Sequence, residues 1–283
     1  MKYLLLNGSP HKGNTWRISQ FAKEHILFLD KEASFHEIHI ASLQLPFCTG
    51  CSTCFRKGGD KCPHNQILQP LVQEMDHADA VILVSTTFFM RETALLKNVM
   101  DHLLYMTHRP HFFKKKALVI TSTGGIGASA AAKGIASWLG AIGFNKTYLL
   151  PITTCSWNDY EPNQKAKKKI KCISEKFYHN VASGKFCKPS YGELIPYNLF
   201  RGMCRFYVPG TEYETADGPF WTDSIRAKRV YDRSTPVSLG QIIFGNLFYV
   251  IGRIAGKATV VTYKKQGTDK NHVDVGWFSY FGE

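Results

Sequence analysis

The sequence predicts an α/β fold, a doubly wound sheet of five parallel strands in the order 2-1-3-4-5 with a C-terminal extension. Three observations predict it. Residues 80–84, 117–120 and 147–150 are continuous apolar runs, the composition of strands covered on both faces. Between the runs lie segments whose apolar residues recur every three or four positions, the period of a helix face. Residues 34–40 mix polar and apolar side chains as an edge strand does, which places the second strand outside the first.

Taken in order, Tyr3 to Leu6 form a short buried strand. Trp16, Ile18, Phe21, Ala22, His25, Ile26 and Leu29 then share one helix face. After the edge strand and the third strand at 80–84, the next helix shows Leu95, Leu96, Val99, Met100, Leu103 and Leu104 on one side. The fourth strand, 117–120, is followed by the face of Ala131, Ile135, Trp138, Leu139 and Ile142. The fifth, 147–150, is followed by that of Ala166, Ile170, Ile173, Phe177 and Val181. In this topology ligands bind beyond the carboxyl ends of strands one and three.

Three loops lie there. Asn7-Gly8-Ser9-Pro10-His11-Lys12-Gly13-Asn14-Thr15 joins a strand to a helix, where unsatisfied N–H groups and the positive end of the helix dipole favour an anion. Ser9, Asn14 and Thr15 add polar donors, and His11 and Gly13 complete the cradle. The loop has neither Gly-x-Gly-x-x-Gly nor Gly-Lys-Ser/Thr, so it resembles neither a dinucleotide fingerprint nor an ATP-type loop. A monophosphate tail suits it, with an ordinary strand-to-helix turn as the alternative. In residues 85–91, Thr86, Thr87, Phe88 and Phe89 offer surface for a flat ring, unless the aromatics only cap the sheet. In residues 121–129, Thr121, Thr123, Gly124 and Gly125 let backbone N–H groups approach its polar edge, unless the glycines only make a tight turn. All three loops suit a flavin.

The formal charge of +13 is scattered, apart from basic runs at 114–116 and 165–171. No nucleic-acid motif accompanies it, so anionic small molecules are the expected partners. The N-terminal apolar run is too short for a signal peptide, and a cytoplasmic location with reduced cysteines is expected. Four of the eight cysteines form Cys48-x2-Cys51-x2-Cys54-x7-Cys62, with Pro46 and Pro63 flanking an expected non-helical loop. Soft thiolates select zinc or iron-sulfur centres, and the consecutive two-residue gaps match a ferredoxin-type run better than a zinc finger. A [4Fe-4S] cluster is the sharper reading, with zinc or unligated thiols as alternatives. Cys155, Cys172, Cys187 and Cys204 have no metal spacing. His11, His64, His102, His108 and His111 have no spacing of a known metal site and read as solvated or packed.

Through Asn7-Gly8-Ser9-Pro10, Gly13-Asn14-Thr15, the cysteine loop and the order of loops, residues 1–183 resemble the flavodoxin-like NAD(P)H-dependent FMN reductase family, especially its iron-sulfur flavoprotein branch. The resemblance implies FMN, with phosphate at Ser9, Asn14 and Thr15 and the ring between residues 86–89 and 123–125. Relatives commonly have Pro-x-Tyr after the third strand, where this chain has Thr86-Thr87-Phe88-Phe89. They often place two aspartates after the last cysteine, where it has Pro63-His64-Asn65.

After Gly184 the strand-helix alternation stops while aromatic residues persist, so residues 184–283 are expected to be an ordered extension. Residues 237–255 are apolar but interrupted by Gly240, Gln241, Gly245, Asn246, Gly252 and Arg253, a poor membrane span. They are expected to join two copies in a homodimer or to cover the first domain, with peripheral membrane contact as the alternative. The function expected is a flavin oxidoreductase that passes electrons from NAD(P)H to a small acceptor, a quinone or a cluster. The rival is an electron carrier reduced by a ferredoxin-like redox protein. The cofactor carries the chemistry in either case, and no side chain is assigned a catalytic role.

Overall fold

In a computed structural model of the chain, residues 1–211 and 214–258 are described. Five parallel strands, β1 (Lys2–Asn7), β2 (Ser34–His39), β3 (Ala80–Thr86), β4 (Lys116–Thr123) and β5 (Lys146–Thr153), form one sheet in the order β2-β1-β3-β4-β5. The pleat sends alternate side chains to opposite faces. Leu4, Leu6, Val81, Leu83 and Val119 enter one core, and Tyr3, Leu5, Ile82, Leu118 and Ile120 the other. The central strands are therefore apolar without alternation, as the sequence predicts.

Helices α1 (Asn14–Leu29) and α6 (Gln164–Ala182) cover the second face through Ile18, Ile26, Ile170 and Phe177. The first face is covered by α3 (Asn65–His77), α4 (Ala94–His102) and α5 (Ala128–Ala141). Sequence periodicity missed α3. Leu68, Leu71 and Met75 form its buried stripe, but Pro70 lies inside it. A mid-helix proline removes one backbone bond; here it sits on the exposed side, where water meets the freed carbonyl. The cysteine loop, expected to be non-helical, contains one helical turn, α2 (Thr53–Arg56). The turn forms because Ser52 adopts φ 58° and its carbonyl accepts from the N–H groups of Phe55 and Arg56.

Beyond α6 the chain forms a small helical lobe: α7 (Tyr191–Met203), α8 (Asp217–Thr222) and α9 (Leu239–Ala258). A reciprocal capping box between Ser190 and Glu193 starts α7. Leu194, Tyr197, Cys204, Tyr207, Trp221 and Tyr231 pack with Phe113 of the sheet domain into a third core. The glycines that mark residues 237–255 as a poor span do not break α9; they let it press against α7. A Cβ on Gly252 would stand 2.4 Å from the Leu199 carbonyl oxygen, and one on Gly202 of α7 would stand 2.3 Å from that of Tyr249. Buried Arg201 donates to Asn246 at 2.7 Å, and Gln241 to the Pro189 carbonyl at 2.6 Å. The other side of α9 exposes Leu239, Ile242, Ile243, Leu247, Val250, Ile251 and Ile254. By length and composition residues 239–257 are apolar enough to cross a membrane, yet one side is engaged with α7. The part of the extension at 259–283 lies outside the described residues.

Candidate functional site

Parallel strands end together, so the loops that follow β1, β3, β4 and β5 converge. They enclose a cleft of about 680 Å³ lined by Ser9, His11, Gly13, Asn14, Thr15, Thr86, Thr87, Phe88, Thr123, Gly124 and Gly125. Eleven of the thirteen cofactor candidates are thus brought together. A larger cavity of about 760 Å³ lies at the amino end of β5, between α5 and the C-terminal lobe, away from these loops.

The β1–α1 loop is fixed from behind. Asn7 Oδ1 accepts from the Ser9 N–H at 3.1 Å, the Gly8 N–H donates to the Val84 carbonyl at 2.7 Å, and Thr93 donates to the Gly8 carbonyl at 2.5 Å while capping α4. A Cβ on Gly8 would stand 2.9 Å from that of Leu96, so only glycine lets the loop lie this close to α4. The first backbone bond of α1 runs from the Arg17 N–H to the Gly13 carbonyl. The N–H groups of Asn14, Thr15 and Trp16 therefore stand before the helix ladder begins, at its positive end. Gly13 supplies no side-chain cap, and no acidic residue occupies the first turn. Among the described residues no carboxylate lines the cleft.

Each polar side chain has a distinct part. Ser9 Oγ accepts from the Thr86 N–H at 3.0 Å, which leaves its own hydrogen to donate. Thr15 and Ser122 share one hydrogen between their hydroxyls at 2.5 Å, so the pair keeps a second to give. Thr87 is 8% exposed, and its Oγ1 has no partner, a costly state for a buried hydroxyl. Asn14 differs from expectation. Its amide donates to the Ser156 carbonyl at 3.0 Å and its oxygen accepts from the Tyr160 N–H at 3.1 Å, so it holds the loop after β5, and one amide hydrogen and its backbone N–H are left for a ligand.

Two candidates fall outside the lining. Thr121 is buried at the end of β4, where its hydroxyl donates to the Ala128 carbonyl and secures the start of α5. Phe89 is 99% exposed. Residues 88–91 make a two-residue reversal closed by reciprocal Phe88–Arg91 backbone bonds, and Phe89 and Met90 have φ of 44° and 65°. That left-handed pair normally calls for Asn or Gly, and it turns Phe89 out at the rim. Sequence reasoning also missed Thr154, Cys155, Ser156 and Trp157, which line the fourth side. Trp157 is 97% exposed. The carboxyl-end rule that selected the other loops applies equally to β5 and could have found them.

The cysteine loop packs on α4. Asn98 accepts from the Cys48 N–H at 3.0 Å and donates to the carbonyls of Leu45 and Pro46. Two of the four thiols, Cys54 and Cys62, are raised by burial and by their cysteine neighbours. Burial pushes the Cys54 thiol up to about 11, with Cys62 and Cys51 adding to the rise. Burial also acts on Cys51, but hydrogen bonds from Thr53 and Thr49 and the Arg56 charge hold that thiol below its usual value. Arg109 donates to the carbonyls of Cys54 and Phe55 and to Asp217 at the start of α8, whose other oxygen meets His108 at 2.9 Å. The Ala216 N–H donates to the Phe55 and Arg56 carbonyls, and Trp221 Nε1 to that of His108. The C-terminal lobe therefore clasps the cysteine loop through Arg109, a connection without any local signal in the sequence.

This sheet order, with an open cleft at the carboxyl ends, is the flavodoxin-like arrangement. Residues 1–153, more than half of the chain, match the NADPH-dependent FMN reductase family, and the chain belongs to it. It is 32% identical over 128 residues to an iron-sulfur flavoprotein of Archaeoglobus fulgidus, covering 45% of this chain and 56% of that protein. It is 34% identical over 102 residues to an iron-sulfur flavoprotein of Methanocaldococcus jannaschii, covering 36% and 51%. The chain thus spans about half the length of the curated relatives it matches. The crystal structure of an NADH:FMN oxidoreductase in its apo form superposes with a TM-score of 0.47 at 18% identity, covering 63% of this chain and 89% of that one.

Among the described residues, Asp217 is the one carboxylate that Arg109 meets, in a nearly buried pair. Replacing it (Asp217→Ala) leaves the guanidinium uncompensated, a loss on the order of 3–5 kcal/mol. The urea midpoint should fall and Cys54 should label faster with a thiol reagent. An unchanged midpoint with unchanged labelling would mean that the clasp holds nothing.

Proposed function

We propose that the protein is an FMN-dependent oxidoreductase that accepts electrons from NAD(P)H, and that its four-cysteine loop holds a [4Fe-4S] cluster through which electrons leave. The observation that carries the flavin reading is the convergence, in one cleft, of the uncapped start of α1, the donors Ser9 and Thr15, and the unpartnered Thr87 hydroxyl. The cleft volume is within the usual range for small-molecule sites. The family to which the chain belongs is named for NADPH-dependent reduction of FMN.

FMN, when bound, supplies hydride acceptance and onward electron transfer. The chain's own residues hold, orient and shield it. The N–H groups at the start of α1, with the hydroxyls of Ser9 and Thr15, would hold the phosphate. Each bond to a charged group is worth about 1.5–3 kcal/mol. Thr87 and the backbone of residues 123–125 would meet the polar edge of the ring. Phe88 and Trp157 flank the mouth, where their faces would exclude water from the ring while leaving one side to a nicotinamide or acceptor.

The cysteine loop fits a cluster by the chemistry of its donors. Four thiols stand in one loop whose backbone Arg109 holds and where the Arg56 charge acts on Cys51, and cationic side chains suit a cluster ligated by thiolates. The relatives in two archaea are named iron-sulfur flavoproteins, which supports this reading. In anaerobic stopped-flow mixing, NADPH or NADH should bleach the flavin's visible absorbance in the full-length protein. Flavin untouched by either nucleotide but reduced by a ferredoxin-like donor would favour the electron carrier instead.

The exposed stripe of α9 is proposed to meet the same stripe of a second copy about a two-fold axis. The helix is 20 residues long, and its seven exposed apolar side chains have the character of an obligate interface. Arg253 and Lys257 lie near its carboxyl end, and an antiparallel two-fold would keep the two positive ends apart. Ile243→Glu with Leu247→Glu should convert a dimer to a monomer in sedimentation velocity. A monomeric wild type that floats with liposomes would overturn the dimer in favour of membrane contact.

A further inference from the structure

The family match leaves His64 and His102 unused. They stand 38 residues apart in sequence, yet His64 Nδ1 lies 2.9 Å from His102 Nε2, and one ring nitrogen of each and the Cys62 sulfur all lie within 4.8 Å of one another. His102 is 1% exposed, and its Nδ1 meets the Asn98 carbonyl at 2.8 Å. A carbonyl only accepts, so Nδ1 carries the hydrogen and the Nε2 lone pair faces His64 Nδ1. An outer hydrogen bond that fixes ring and tautomer in this way is the usual support of a metal-ligating histidine. Asn98 belongs to the same turn of α4 that clamps the start of the cysteine loop through Cys48, Leu45 and Pro46. One helical turn therefore positions both the buried histidine and the loop that brings the sulfur.

We propose that Cys62, His64 and His102 form a mononuclear site for a borderline-soft divalent metal, zinc foremost, that shares only Cys62 with the four-cysteine set. Zinc takes ring nitrogens at about 2.0–2.1 Å and thiolate sulfur at about 2.3 Å in a tetrahedron. Two nitrogens 2.9 Å apart need to separate by only a few tenths of an ångström to reach one ion in that geometry. His64 and Cys62 are partly exposed, so one side remains open for a water as fourth ligand. On binding, the Cys62 thiol gives its proton to water, and His64 moves its hydrogen from Nδ1 to Nε2. No oxidant or reductant is involved. Because Cys62 serves both sites, a chain with an assembled cluster takes no zinc, and a chain without one does.

The site goes beyond the flavin reading and is tested apart from it. Full-length protein that keeps its flavin and holds no iron or acid-labile sulfide is stripped with EDTA and then titrated with zinc chloride under reducing conditions. About one zinc per chain should bind, and cobalt in its place should show a thiolate-to-metal charge-transfer band that Cys62→Ser abolishes. Loss of an outer-shell partner costs about 10–100-fold in affinity, so loss of a ligand in His64→Asn or His102→Gln should cost at least about 100-fold. His64 is partly exposed, so its variant stays readable even if the buried His102 variant folds poorly. Cys48→Ser and Cys51→Ser should bind zinc as the wild type does. Failure to take up zinc, uptake that needs Cys48 or Cys51, or uptake indifferent to His64→Asn would each overturn the proposal. Iron and acid-labile sulfide after anaerobic purification read the cluster instead; they should require Cys48 and Cys51 but not His64, so either reading can fail alone.

Discussion

The structure depends on the junction between β1 and α1. A helix that starts at the carboxyl end of a central strand presents backbone N–H groups that no residue of the helix can satisfy. Here they are left without a side-chain cap or an acidic neighbour. The surroundings serve to keep that end in place: Asn7 turns the loop, Gly8 lets it lie against α4, and Thr93 ties the Gly8 carbonyl to the start of the same helix. Because β3, β4 and β5 run parallel to β1, their loops have no choice but to surround the same point. The cleft therefore follows from the order of strands, and the N–H groups that stand ahead of the α1 ladder follow from the backbone.

The second organising contact is less local. Arg109 reaches the cysteine loop through two carbonyls and the C-terminal lobe through Asp217. The pair is nearly buried, so neither charge can be removed without exposing the cost of the other. Below it, α4 contributes Asn98 and His102 to the same loop. The loop's own backbone forms only short helical turns, and its shape is borrowed from these neighbours. That dependence explains how a loop rich in soft ligands can be held in an extended part of the chain without a core of its own.

Much of the fold was legible because buried parallel strands leave a plain trace: β1, β3 and β4 are apolar on both faces, and β2 is not. The helix α3 was hidden by Pro70, whose cost is small on an exposed face. The glycines of α9 read as interruptions, since a sequence cannot say that Gly252 faces Leu199. At the site, turn chemistry located the loops but not their side-chain directions. Phe89 points away because two left-handed residues reverse the chain, and Asn14 supports a neighbouring loop because Tyr160 and Ser156 happen to reach it. His64 and His102 carried no local signal; only the packing of the cysteine loop on α4 brings them together.

The central claim is that the start of α1 holds the phosphate of a flavin. Titrating flavin-free protein with FMN and with riboflavin, followed by quenching of flavin fluorescence, isolates that phosphate. At least two bonds to a charged group, each worth about 1.5–3 kcal/mol, predict that FMN binds more tightly than riboflavin by on the order of 100-fold or more. Equal affinities for the two would contradict it.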